Sequence, residues 1–258
     1  MEKLIKKLRH LKRYNVVGIK QSLEDEGANF NDLMIMRKIT KINKVKLNVK
    51  IGGCEAKNDI FFCKKILSDS IVAPMVESDY ALRKFIQCAG KNKKNQLFVN
   101  LETNLSLINL PKILKSKSFK YLDGVVIGRS DLVGSLNLSK KDVNKELIFK
   151  KVYNAFKKIK SLKKNMIFKM GGSITPLSKD FINRLYQKKL LHNIETRNVE
   201  VKLSNFVISN LEKIIPLIFD FELEWLRFKL NKKNVKSNKS IFNDYSNRIK
   251  EIEKRLIK

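Results

Sequence analysis

The feature that most constrains the fold is a rhythm of short β-branched runs alternating with helix-period segments. The expected strands are Val16–Lys20, Leu47–Ile51, Ser70–Pro74, Leu97–Leu101, Gly124–Gly128, Met166–Met170 and Ile194–Val199. Marked at or just past their C-terminal ends, at Lys20, Lys50, Pro74, Glu102, Asp131, Lys169 and Arg197, they lie 30, 24, 28, 29, 38 and 28 residues apart. That is the period of a βα unit, and repeated βα units build a parallel sheet. Continuous apolar runs suit strands covered on both faces. Seven such units in 258 residues favour an α/β fold of the closed (β/α)8, TIM-barrel type over an open doubly wound sheet. The count is one strand short. The missing strand is expected as an incomplete or irregular first strand near the N-terminus, or as absent altogether.

Between the strands, Leu33, Met36, Ile39 and Ile42 share one helical face, as do Ile148, Val152, Phe156 and Ile159. Ser139 and Ser178 stand where helix N-caps belong. The barrel is expected over residues 1–230 and a linker with a C-terminal helix over 231–258. The linker is the Lys/Asn/Ser-rich stretch Asn231–Lys239. The amphipathic helix Ile241–Ile257 is expected to pack on the barrel or on a neighbouring subunit.

Hydrophobic residues make up 43% of the chain, enough for a sizeable core, which excludes global disorder. Lys and Arg number 55 against 25 Asp and Glu, a formal charge of +30, which invites a polyanion or membrane-surface reading. Most of these cations are lysines spread over the whole chain alongside abundant Asn, the composition of A/T-rich coding. There is no RNP-like aromatic motif, helix-turn-helix signal or clustered basic arm, so specific nucleic-acid binding is not expected.

Cys54, Cys63 and Cys88 have no CxxC spacing and indicate neither a disulfide framework nor a zinc finger. His10 and His192 are isolated, so any metal falls to carboxylates. The N-terminus lacks the uncharged apolar core of a secretion signal. The apolar stretch Phe206–Leu226 is broken by Glu212, Lys213, Pro216, Asp220, Glu222 and Glu224, which excludes a membrane span. A soluble, cytoplasmic protein is expected. No GxGxxG or GxxxxGK[ST] follows any strand, which removes the main support for dinucleotide or P-loop chemistry.

In barrels, catalytic side chains come from the C-terminal ends of strands and the loops after them. Here those positions carry Lys20, Glu24, Glu26, Lys50, Glu77, Glu102, Arg129, Asp131, Lys169, Glu195 and Arg197, and the convergence of so many ionisable groups is the signal. Glu102 and Asp131 lie one βα unit apart and so end neighbouring strands. Two carboxylates without histidine suit a hard cation such as Mg²⁺ or Mn²⁺. The other reading is that one pairs with Arg129 and the other caps a helix. Two turns, Ile51–Glu55 and Met170–Ile174, carry paired glycines between a strand and a helix, where backbone N–H groups approach an anion; a plain tight turn serves equally well. Glu195 and Arg197 either bind substrate or pair with each other. Trp225 reads as core, and Cys54, without a histidine partner, as a small buried residue rather than a nucleophile.

The segments Ile71–Ser78 (IVAPMVES), Leu101–Thr103 (LET) and Leu122–Leu132 (LDGVVIGRSDL) resemble the 2-keto-3-deoxy acid aldolase and citrate lyase β-subunit family, HpcH/HpaI. In that family a P-M-V-E-like strand, an I/V-E-T strand and a G-x-x-D-L loop follow in this order. The resemblance runs from about Val16 to Val199. It implies a (β/α)8 barrel assembled as a trimer or hexamer, which binds Mg²⁺, Mn²⁺ or Co²⁺ and cleaves or forms carbon–carbon bonds through a pyruvate-like or acetyl-type enolate.

The resemblance makes Glu102 and Asp131 the metal ligands and gives the amides of Ser130 and Asp131 to the keto acid carboxylate. Lys50 falls where the family has an arginine that steadies the enolate; it keeps the charge and loses the bidentate fork. The family's D-G-E-H-like block supplies a histidine base, and the corresponding block here, Glu24–Ala28, has none. Glu24, Glu26 or a metal-held water is left for that role, with Glu26 near Lys20 preferred, or else the chemistry differs from the family's. Lys20, Arg129, Gly52, Gly53 and Arg197 complete the expected substrate-binding set.

The expected function is a metal-dependent lyase or aldolase acting on a 2-keto acid and an aldehyde, one that is sugar-derived among the options. One alternative is an acyl-CoA lyase or thioesterase of the citrate and malyl-CoA type. The other is a non-catalytic basic barrel that binds polyanions.

Overall fold

A computed structural model describes residues 1–24, 26–90, 94–232, 236 and 238–256. Among them, eight strands close into a barrel in sequence order. The chain enters through α1 (Glu2–Leu11), whose Leu4, Leu8 and Leu11 share one buried face. Then follow β1 (Val16–Ser22), α2 (Phe30–Asn43), β2 (Lys46–Lys50), α3 (Lys57–Lys65), β3 (Ser70–Ala73), α4 (Asp79–Ala89) and β4 (Gln96–Asn100). The next elements are α5 (Asn104–Ile108), α6 (Leu110–Lys115), β5 (Gly124–Gly128), α7 (Arg129–Ser135), α8 (Glu146–Leu162), β6 (Ile167–Gly171) and α9 (Lys179–Gln187). The last are β7 (Asn193–Glu195), β8 (Val199–Lys202), α10 (Asn205–Ser209), α11 (Leu211–Leu230) and α12 (Lys239–Leu256).

The first seven strands are parallel, as their spacing predicts, but the eighth is not where the count placed it. β1 is complete. The irregular member is β8, which lies at the end of the stretch read as one strand, Ile194–Val199. The chain reverses at Arg197 and Asn198, and β8 runs antiparallel to both β7 and β1, pairing Ile194 with Val201 and Ile19 with Val199. The turn closes with Thr196 N donating to Val199 O at 2.9 Å. Glu222 of α11 anchors it, accepting from Thr196 Oγ1 and Asn198 N, both at 2.7 Å. No crossover helix is needed, because an antiparallel pair can be joined by a tight hairpin.

Strand alternation sorts the side chains into two cores. Outward residues such as Ile19, Val49, Ile71, Val99, Ile127 and Met170 pack under the helices. The inward apolar layer is small, formed by Val72, Phe98 and Val126 with Ile167. The rest of the interior is polar and paired: Lys169 Nζ lies 2.9 Å from Glu200 and 3.4 Å from Glu195, and Asn48 also donates to Glu200.

Two local expectations change. Ile42 is exposed and Thr40 and Asn43 turn inward instead. Ser139 does cap a short 3-10 turn, whereas the Ser178 hydroxyl caps no N–H of α9. The C-terminal helix runs over Lys239–Leu256 and packs on α11 of its own barrel, burying Tyr245 and Ile252. Of the expected linker, residues 233–235 and 237 lie outside the described residues, as does Asp25 of the Glu24–Ala28 block. No helix among the described residues is long and apolar enough to cross a membrane.

Candidate active site

A cavity of about 240 Å³ opens at the C-terminal ends of the strands. Its floor and wall include Lys20, Lys50, Asn100, Glu102, Ser130 and Asp131, with Gly171–Ile174 on one side. The β7–β8 hairpin contributes Glu195, Thr196 and Arg197, and Glu26 and Glu222 complete its buried end. Arg248, Glu251 and Ile252 of α12 reach its rim.

Glu102 follows β4 and is 2% exposed. Its Oε1 accepts the Met75 amide at 3.1 Å and its Oε2 accepts Asn100 Nδ2 at 2.8 Å. Burial pushes its carboxyl above the usual range, while Lys50 pulls it down and Asp131 pushes it up.

Asp131, in the first turn of α7, is exposed to the cavity. Both carboxylates stand against Gly128, where a side chain would leave no room: its Cβ would lie 2.6 Å from Glu102 Oε2 and 3.5 Å from Asp131 Oδ2. β4 and β5 are hydrogen-bonded neighbours, which sets the two acids side by side. Neither carboxylate pairs with Arg129.

Other expected residues sort cleanly. Lys20 faces the cavity with Nζ 3.8 Å from Glu195. Glu195 pairs with lysines and not with Arg197, which is exposed at the mouth. Ser130 lines the cavity and its Oγ is 3.0 Å from Ser173 Oγ. Glu26 lies in the cavity wall, 5% exposed, whereas Glu24 lies outside it, beside Gly52 and Gly53 in a separate shallow pocket. The Gly52 amide donates to Asp59 Oδ2 at 2.7 Å, so that N–H is already satisfied. The two glycine turns therefore do not act jointly: Gly171–Gly172 borders the cavity and Gly52–Gly53 does not. Gly172, at φ 80°, packs so tightly on the backbone nitrogens of Arg129 and Ser130 that a Cβ would collide with them.

Arg129 departs most from expectation. Its side chain is wholly buried and turned away from the two carboxylates. It donates to Gly172 O at 3.0 Å, Asn144 Oδ1 at 2.7 Å and Ser178 Oγ at 3.2 Å, and its guanidinium lies 4.9 Å from the Phe181 ring centroid. Burial lowers its pKa to about 9, still protonated at neutral pH. Arg129 thus ties the Gly171–Ser173 wall to α7 and is spent on structure.

The sequence reading missed Asn100, the Met75 amide and Gly128, which frame Glu102, and Asn198 and Glu222, which frame Glu26. Asn198 Nδ2 donates to Glu26 Oε2 at 2.7 Å. Lys169 and Glu77 do not line the cavity: Lys169 pairs inside the barrel with Glu200 and Glu195, and Glu77 accepts Thr103 Oγ1 at 2.6 Å. Trp225 is core, 1% exposed. Cys54 is half-buried, with burial raising its thiol to about 11, which leaves it protonated and unreactive at neutral pH.

Among the described residues no group of three or more His, Cys, Asp or Glu side chains is arranged around a metal position. The Glu102/Asp131 pair is the donor set on offer. It fits a hard divalent cation: oxygen donors only, two negative charges, and a space over Gly128 that a side chain would fill. Asn100 Oδ1, buried beside the pair without a hydrogen-bond partner among the described residues, adds one more oxygen to the surroundings.

A closed barrel with its ionisable groups gathered at the strand C-termini is the layout of barrel enzymes. The model of the HpcH/HpaI aldolase/citrate lyase family matches residues 36–172, more than half of the chain, and the protein belongs to that family. Among solved structures it resembles the citrate synthase SbnG (TM-score 0.59, 12% identity, 75% of this chain and 81% of that one). It also resembles an HpcH/HpaI aldolase/citrate lyase family protein from Burkholderia cenocepacia J2315 (0.56, 10%, 74% and 82%) and RipC from Yersinia pestis (0.52, 14%, 76% and 87%). These likenesses establish the barrel. No curated protein matches the chain in sequence.

Proposed function

We propose that the protein is a divalent-metal-dependent carbon–carbon lyase that works through the enolate of a pyruvate-like 2-keto acid, with an aldehyde as the second fragment. The observation that supports this most is the Glu102/Asp131 pair standing together against Gly128, within reach of the Lys50 charge. Glu102 and Asp131 would hold Mg²⁺ or Mn²⁺, which supplies Lewis-acid stabilisation of the enolate oxygen when bound.

In the cleavage direction, Glu26 takes the proton from the hydroxyl of the 4-hydroxy-2-keto acid. The C3–C4 bond breaks, its electron pair passes toward the keto oxygen, and the aldehyde leaves. Lys50 provides positive charge where the oxyanion develops, which is usually the largest single contribution to rate. The Ser130 hydroxyl, which lines the cavity, suits the substrate carboxylate, and Lys20 keeps positive charge beside Glu26. Proton return to C3 completes the product. Glu24, outside the cavity, has no part in this scheme.

The test is metal titration by calorimetry with Glu102→Gln and Asp131→Asn, alongside an assay of C3–H exchange of pyruvate into D₂O. Both variants should lose Mg²⁺ and Mn²⁺ binding and the exchange. Unchanged metal affinity in both overturns the reading. Activity on malyl-CoA without activity on any 4-hydroxy-2-keto acid would move the protein to the acyl-CoA branch.

A further inference from the structure

The Glu24–Ala28 block carries no histidine, and the buried end of the cavity holds two carboxyl groups. Asn198, at the tip of the β7–β8 hairpin, bonds to both. Its backbone N–H donates to Glu222 Oε1 and its side-chain Nδ2 to Glu26 Oε2, each at 2.7 Å. One residue thus fixes the spacing of an acid from the loop after β1 and an acid from the middle of α11. Both are nearly sealed from solvent at 5% and 2% exposure, yet both line the cavity.

We propose that Glu26 and Glu222 act as one proton-sharing carboxyl pair, with Asn198 as its positioning residue. The proposal rests on the function given above and names the acid that completes Glu26. With one proton between them, the ionised member accepts the substrate hydroxyl proton and the protonated member returns a proton to C3. The pair ends the cycle as it began, so the step needs no further acid or base.

The cations around the two carboxyls favour ionisation, and burial opposes it. Facing Glu26 are Lys20 from β1, Arg197 from the hairpin and Lys229 from α11, whose Nζ is 3.2 Å from the Glu26 carbonyl. Lys229 is itself paired with Asp32 of α2 at 3.8 Å and covered by the Tyr245 ring of α12 at 4.3 Å. Arg197 and Lys20 also face Glu222, and Arg248 and Glu251 of α12 close the rim. Burial raises both carboxyls, and Glu222 raises Glu26 further. Two buried carboxylates bridged by Asn198 and close enough for the charge of Glu222 to raise Glu26 resist double ionisation, so protons leave in two separated steps that belong to the pair.

The test uses the full-length protein with Mg²⁺. The infrared C=O stretch of protonated carboxylic acid is followed against pH, together with the pH profile of pyruvate C3–H exchange. In the wild type a buried carboxylic acid should persist at neutral pH and the profile should be bell-shaped. Glu222→Gln keeps the acceptor for Thr196 and Asn198; it should retain metal affinity, reduce the infrared titration to one step and slow pyruvate C3–H exchange at every pH, because the group that returns the proton to C3 is also the one that removes it.

Thr196→Val removes the hydroxyl donor to Glu222, along with the acceptor for the Val199 amide at 3.2 Å, and should move the Glu222 step to higher pH, so it serves if Glu222→Gln fails to fold. Unchanged infrared titration and pH profile in either folded variant would overturn the pair. If the wild type shows no exchange with any metal, the lyase reading fails while the infrared titration still decides whether the pair exists.

Discussion

The amide of Met75 donates to Glu102 Oε1 at 3.1 Å, from a backbone in the left-handed region at φ 47°. The loop after β3 thereby holds the carboxylate that follows β4. For a non-glycine residue this conformation costs about 1–2 kcal/mol, and such strain collects where a site needs a donor aimed in one direction. The methionine side chain itself is mostly exposed. In the Pro74–Glu77 motif it is therefore the backbone of Met75 that serves Glu102.

Met75→Gly keeps the donor and removes the strain. The gain should roughly offset the extra chain entropy of glycine, about 0.5–1 kcal/mol, leaving stability within about 1 kcal/mol of wild type. Mg²⁺ affinity by calorimetry should be unchanged. A marked loss of affinity would show that the thioether, and not the amide, supports Glu102.

Gly128→Ala tests the space between the two acids. The new methyl would sit 2.6 Å from Glu102 Oε2, and overpacking of this kind costs about 1–3 kcal/mol. The expected variant folds, shows a lower urea midpoint and binds Mg²⁺ more weakly than wild type. Wild-type metal affinity would mean that the carboxylates do not meet their cation over this glycine.

The seven parallel strands were legible because burial on both faces writes continuous apolar runs such as Gly124–Gly128. β8 was not, because Val199-Glu-Val-Lys202 alternates in polarity and follows β7 through a turn without Asn-Gly or Asp-Gly, so the two strands merge into one run. The positions of Glu102 and Asp131 followed from strand-end spacing and family motifs. The direction of Arg129 did not, since its acceptors, Asn144, Gly172 and Ser178, come from distant loops. Glu222 was hidden for a similar reason: in sequence it interrupts an apolar helix, and only the fold brings it to Asn198, 24 residues away.

Arg129→Lys removes the fork that holds Asn144, Gly172 and Ser178. Each buried acceptor left unsatisfied costs about 1–3 kcal/mol, so the loss should reach about 3 kcal/mol or more by urea unfolding. Protease cleavage near the Gly171–Ser178 segment should rise in parallel. An unaltered unfolding midpoint combined with weakened keto acid binding would place the guanidinium on the substrate instead.

Stability should also depend on pH in a direction set by Glu26 and Glu222. Both carboxyls are raised by burial, so the folded protein holds these protons more tightly than the unfolded chain. Their contribution is fully present below the ordinary carboxylate pKa of about 4.3 and is lost as pH rises through the raised values. The melting temperature should accordingly fall less between about pH 5 and about pH 8 in Glu222→Gln than in the wild type. A steeper fall in the variant would mean that the ionised Glu222 is a net stabiliser.

Lys169 tests whether the polar barrel interior is structural. Its Nζ is paired with Glu200 and Glu195 and lies 4.1 Å from the Phe98 ring centroid, with the side chain 3% exposed. Lys169→Met fills the same volume but removes the cation paired with Glu200 and leaves Glu195 paired with Lys20 at 3.8 Å, and breaking a buried pair in this way costs about 3–5 kcal/mol. Adding Glu200→Gln should recover part of that loss, because the amide oxygen it introduces can still accept from Asn48 while one buried charge is gone. Metal affinity at Glu102 and Asp131 should be the same in the single and double variants, measured below their melting temperatures. If instead Lys169→Met is as stable as wild type but no longer exchanges the pyruvate C3–H, the lysine belongs to the chemistry and the interior network is part of the active site.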